Sequence, residues 1–160
     1  MENGRLPDFL VIGAAKAGTT SLYYYLMQHP RVFMPSNKEP MFFVFDGRKL
    51  ENYHFAGSAD LPRIVTNLTE YMQLFQSAPA SSLTGEASTL YLYDKEAPAR
   101  IAALIPKVKM IAILRNPVDR AYSQFQHYRQ VKREPLARFI EAINIEEKRI
   151  AETWYPSYYY

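Results

Sequence analysis

The sequence contains no cysteine, which excludes a disulfide framework and thiolate metal ligation and suits a reducing compartment. No apolar stretch approaches the ~18 residues of a membrane-spanning helix. No basic segment followed by an apolar run opens the chain, so no secretory leader is read there. Together these absences lead us to expect a cytoplasmic protein without a membrane span. Charge is sparse in blocks: 19 Lys and Arg against 16 Asp and Glu leave a net charge of +3. That excess marks no nucleic-acid surface and is compatible with a small anionic ligand. The three histidines, His29, His54 and His127, are scattered, and no metal-ligand cluster is read.

What is present is the composition of a globular chain, 48% apolar and 22% charged. Its 160 residues suit one domain, 1–160, with a real core. Tyr155, Tyr158, Tyr159 and Tyr160 crowd an apolar end that starts at Trp154. A chain ending on such a surface is expected to be a C-terminally truncated piece of a larger domain.

Phe9 to Ile12 is a short, fully apolar run closed by Gly13, the pattern of a strand buried on both faces. A helix is expected from about Thr19 to Gln28, stopping before Pro30. Residues 31–60 show no regular pattern. Asn67 and Glu70 have the spacing of a capping box, opening a helix with Leu68, Met72 and Phe75 inward. Leu83 to Ala87 reads as a second strand and Pro98 to Ile105 as a helix facing inward through Ile101, Leu104 and Ile105. Lys109 to Leu114 is a further apolar strand. After it come Asn116 as N-cap, Pro117 at the first helical position, and Val118, Ala121, Tyr122, Phe125 and Tyr128 at helical spacing. A last helix is expected from about Pro135, with Phe139, Ile140 and Ile143 inward. Apolar strands alternating with helices predict an α/β fold, a parallel β-sheet flanked by helices on both faces. Ligands of such sheets gather at the carboxyl ends of the strands.

Both of the clearest strands end in residues suited to an anion. The turn Gly13-Ala-Ala-Lys16-Ala17-Gly18-Thr19-Thr20-Ser21 leads a strand into a helix start, where backbone N–H groups and the dipole favour negative charge. Gly18 allows close approach, the threonines add hydroxyls and Lys16 adds a mobile charge. An ordinary strand–turn–helix corner with a solvent-facing lysine would carry the same residues. The second set is Leu114-Arg115-Asn-Pro-Val-Asp119-Arg120-Ala-Tyr-Ser123. Ser123 lies about two helical turns beyond the cap, on the same face. Arg115 can then offer a planar fork to a phosphate while Ser123 donates its hydroxyl. A bland alternative pairs Arg115 with Asp119 and leaves Ser123 to solvent.

Taken together, Pro7 to Ser21 and Ile113 to Ser123 closely resemble the two signature motifs of sulfotransferases that use 3′-phosphoadenosine-5′-phosphosulfate (PAPS). The spacing and the stretch Asn37-Lys-Glu-Pro-Met-Phe-Phe43 are similar as well, in the manner of heparan sulfate glucosaminyl sulfotransferases and bacterial enzymes. The resemblance spans the chain but only the N-terminal, PAPS-binding portion of that family's P-loop-like domain. It implies that Lys16, Ala17, Gly18, Thr19, Thr20 and Ser21 bind the 5′-phosphosulfate and Arg115 and Ser123 the 3′-phosphate. It implies Lys16 as a catalytic cation and Glu39 as the base, with Glu86 of Thr84-Gly-Glu-Ala-Ser-Thr89 a second candidate acid. The related motif carries a lysine where Ala87 stands, which puts a heparan-type acceptor in doubt.

The expected reaction is sulfuryl transfer from PAPS to a hydroxyl, or less favourably an amine, on a small-molecule or carbohydrate acceptor. The product is adenosine 3′,5′-bisphosphate, with no metal required. A non-catalytic fragment that binds the nucleotide is the alternative. A P-loop nucleoside triphosphatase or kinase would need the Walker lysine directly after the second glycine, where Thr19 stands. His54 could serve as a base, but His29, His54 and His127 read as structural or surface residues. Arg120, Arg129, Lys132, Arg133 and Arg138 could line an acidic acceptor's path, but read first as a solvated helix face.

Overall fold

A computed structural model describes residues 4–50 and 64–152. His54 and the tyrosine-rich end from Trp154 lie outside the described residues. Four parallel strands form one sheet in the order β2-β3-β1-β4: β1 is Phe9–Gly13, β2 Val32–Phe33, β3 Leu83–Ala87 and β4 Lys109–Ala112. Central β1 pairs Phe9, Leu10 and Val11 with Gly85, Glu86 and Ala87 on one side and with Lys109, Met110 and Ile111 on the other.

The side-chain alternation of β1 sorts the core into two layers. Phe9 and Val11 pack with Tyr23 and Met34 beneath helix α1, Thr19–Met27. Leu10 packs on the opposite face with Phe42, Phe43, Tyr71, Phe75, Tyr91 and Ile101. These come largely from α2 (Phe42–Phe45), α3 (Leu68–Gln73), a 3-10 turn (Thr89–Leu92) and α4 (Ala97–Leu104). Gly85 stands opposite Phe9 because a Cβ there would collide with the Phe9 ring. Helices α5 (Pro117–Gln130), α6 (Phe139–Asn144) and α7 (Glu146–Glu152) follow β4. Ala121, Phe125 and Ala142 pack together there as a third cluster.

Several expectations are corrected. The irregular stretch after Arg31 contains β2 and α2, and all four residues of α2 are buried. In α3 the N-cap forms, with Asn67 Oδ1 accepting from Glu70 N at 2.9 Å, and Phe75, just past its end, is buried as expected, but Tyr71 faces inward while Leu68 is exposed. A buried carboxyl partner draws the polar-tipped Tyr71 inward, as described below. Strand β4 is not covered like β1: it is the sheet edge, and Met110 is 60% exposed. In α5, Val118 and Tyr122 face solvent, whereas Arg120 and Gln124 are buried beside Ala121 and Phe125. Arg120 therefore does not belong to a solvated face. The last helix is two short ones starting at Phe139, with Ala142 inward and Ile140 exposed. Arg149 of α7 grips the buried Glu134 through both carboxylate oxygens, at 2.6 and 3.0 Å, which fixes this second turn of direction.

Candidate active site

The strand β1 delivers Gly13 and the loop 14–18 to the carboxyl edge of the sheet. Lys16 has φ 63° and Gly18 φ 103°, left-handed conformations that curl the loop over the start of α1. Gly18 is the N-cap residue and no side chain caps the helix. Its first-turn N–H groups are thus left to an outside acceptor, in a hollow lined by Lys16, Gly18, Thr19 and Thr20. A Cβ on Gly18 would meet nothing within 4 Å, so the hollow is open at that point. Ala17 and Ser21 flank it, the latter exposed in the first turn of α1. Burial, and then the charges of Arg115 and Lys38, depress the Lys16 pKa below its usual range. A cationic centre of this kind is relieved by an anion.

Arg115 leaves the end of β4 and its Nη1 donates to the Lys16 carbonyl at 3.3 Å. The ion pair with Asp119 does not form; Asp119 N instead donates to the Asn116 cap at 3.4 Å, and Val118 N does so at 3.0 Å. Ser123 sits two turns into α5, half-buried. One turn further, His127 feels the same centre: burial, then the charges of Lys16 and Arg133, lower its pKa. The sequence alone places His127 as a structural or surface residue. Its place four residues after Ser123 was the available signal.

Glu39 stands in a left-handed turn, φ 62°, between β2 and α2. Its carboxylate accepts from Thr89 N at 2.7 Å and from Lys38 Nζ at 2.8 Å, with the Thr89 hydroxyl at 3.2 Å. The Lys38–Glu39 pair is formed, and Thr89, just past the end of the neighbouring strand β3, also anchors the carboxylate. Glu86 is different. It is fully buried beneath the turn, with Oε1 accepting from Tyr71 at 3.1 Å and Oε2 from Ser88 at 2.9 Å. Burial pushes its carboxyl up to about 7; hydrogen bonds from Tyr91, Ser88 and Tyr71 hold the rise back and the Glu39 charge adds to it. With no exposed surface, Glu86 does not meet an acceptor in this conformation. Among the described residues, no group of three or more His, Asp or Glu could hold a metal ion.

The model of the sulfotransferase family matches residues 7–160. The chain belongs to the sulfotransferase family. It is 34% identical to the human bifunctional heparan sulfate N-deacetylase/N-sulfotransferase 3, over 96% of this chain and 18% of that protein. It is 31% identical to the membrane-associated sulfotransferase kil1 of Dictyostelium discoideum, over 92% of this chain and 29% of that one. Among solved structures, a sulfotransferase from Alicyclobacillus acidocaldarius superimposes with a TM-score of 0.82 at 36% identity. That match covers 97% of this chain and 62% of the bacterial enzyme. The sulfotransferase chain described here thus spans less than a third of these curated relatives and under two thirds of the bacterial structure. No helix among its described residues is long and apolar enough to cross a membrane.

Proposed function

We propose that residues 1–160 are the PAPS-binding, catalytic portion of a single sulfotransferase domain. The observation that carries this reading is the meeting of both signature loops at one cationic centre: Arg115 reaches the carbonyl of Lys16, beside an uncapped helix start. In this reading Lys16, Ala17, Gly18, Thr19, Thr20 and Ser21 hold the 5′-phosphosulfate, and Arg115 and Ser123 hold the 3′-phosphate. The bond between sulfur and the 5′-phosphate oxygen breaks as the bond from the acceptor to sulfur forms, in line. Lys16 and the amides at Thr19 and Thr20 stabilise the charge that grows on the leaving oxygen. Glu39, aligned by Thr89 and Lys38, takes the proton released by the acceptor. Glu86 supports this group without touching the acceptor.

The acceptor is a nucleophilic hydroxyl or amine. N-sulfotransferases among the relatives make a glucosamine amine the first to test, and Ala87 argues for testing simple alcohols beside it. The cytoplasmic location read from the sequence is part of the proposal, against the membrane association in the name of the Dictyostelium relative; fractionation of a tagged chain decides between them. Calorimetric titration with adenosine 3′,5′-bisphosphate, against adenosine 5′-monophosphate and ATP, tests the donor site. Selective binding of the bisphosphate is expected, and equal binding with and without the 3′-phosphate removes the Arg115–Ser123 assignment. A second reading, a nucleotide-binding piece without turnover, is favoured by the 62% coverage of the bacterial structure. Turnover gained only in a longer chain would support it.

A further inference from the structure

We propose that Glu86 is a positioning residue: from behind the site, through the hydroxyl of Ser88, it fixes the 39–41 turn that presents Glu39. The inference rests on the reading of Glu39 as proton acceptor.

A carboxyl in the middle of a sheet is a costly group to enclose unless its oxygens are satisfied. Glu86 lies opposite Leu10 in the register of β1 and β3 and is wholly buried. Two hydroxyls donate to it, those of Tyr71 and Ser88. One of the two also acts as an acceptor: Ser88 Oγ accepts from Met41 N at 3.0 Å. A relay therefore starts on the backbone of the turn that presents Glu39 and ends on the Glu86 carboxyl.

The turn needs such support. Glu39 and Met41 both adopt positive φ, 62° and 54°, which side-chain-bearing residues rarely hold without outside constraint. Glu39 N is itself tied to the Ala87 carbonyl at 2.9 Å, the residue that follows Glu86. Thr89, whose N–H orients the Glu39 carboxylate, comes directly after Ser88. Residues 86–89 thus hold the turn by its backbone and Glu39 by its side chain. Without an acceptor at position 86, the Ser88 hydroxyl loses the partner that sets its orientation.

Amide hydrogen exchange followed by NMR on this chain tests the idea, comparing the parent with Glu86→Leu, Glu86→Gln and Ser88→Ala. In Ser88→Ala the Met41 amide should exchange roughly tenfold faster, the scale of losing one hydrogen bond. Glu86→Leu should loosen Met41 likewise, and Glu86→Gln, which keeps an acceptor and the shape, should restore protection. Amides of Leu10 and Val11 in β1 should keep their rates, and affinity for adenosine 3′,5′-bisphosphate should not move. Should Glu86→Leu fail to fold, Ser88→Ala carries the test alone. Unchanged exchange at Met41 in that variant, or equal acceleration through β1, would overturn the proposal as a merely structural role requires. Glu39→Gln tests the underlying reading separately, assayed with PAPS and, of N-desulfated heparin and simple alcohols, the acceptor that the parent turns over. Loss of turnover there supports it, whereas full turnover sinks the proton-acceptor role and leaves Glu86 no catalytic group to position.

Discussion

Lys16 and Arg115 touch at the loop carbonyl yet have separable tasks. Lys16→Ala should abolish sulfuryl transfer while weakening bisphosphate binding far less, because its contribution grows with charge on the leaving oxygen. Turnover with radiolabelled PAPS, set beside calorimetry, separates the two. Arg115→Ala should cost about 1.5–3 kcal/mol in binding the 3′-phosphorylated nucleotide, the range for a charged hydrogen bond. Adenosine 5′-monophosphate serves as the control; equal losses for both nucleotides would mean that Arg115 acts by shaping the Lys16 loop. These residues were legible in the sequence because each sits in a local strand–turn–helix pattern. Thr89 and the burial of Glu86 were not. Thr89 is fifty positions from Glu39 and the Tyr71 partner fifteen from Glu86, so only the folded sheet brings them together.

Among the elements, the strand and helix starts framing the site fell close to expectation. Short α2 escaped because four consecutive buried residues carry no helical period. The edge position of β4 is not legible in the sequence, because apolarity along a strand does not say how many neighbours it has. The β1–β3 pairing rests on a side-chain exchange visible only in register: Gly85 leaves room for the Phe9 ring. Gly85→Ala should therefore destabilise the fold by about 1–3 kcal/mol, as overpacking does. Urea unfolding measures this, and pairing the change with Phe9→Leu should recover part of the loss. A cost that Phe9→Leu leaves untouched would show that the ring is not the obstacle.

At the scale of the whole molecule, the buried carboxyl of Glu86 gives folding a pH dependence. The native chain keeps this proton up to about pH 7, whereas the unfolded chain releases it near 4.5. Between those values the native state binds more protons than the unfolded one. Stability from this group is therefore greatest at the acidic end, falls as pH rises through that window and levels off above it. Melting temperatures of Glu86→Gln should fall less steeply over the window than those of the parent; parallel curves would assign the dependence to other groups. The open edge of the sheet has a consequence of a kinetic kind. Among the described residues β4 has a neighbour only on its β1 side, and its outer rim offers unpaired backbone groups beside exposed Met110. Renaturation of this chain is thus a contest between a first-order collapse and a second-order encounter of two rims. Its yield should drop as protein concentration rises, light scattering should report the lost fraction, and Met110→Lys should slow that loss.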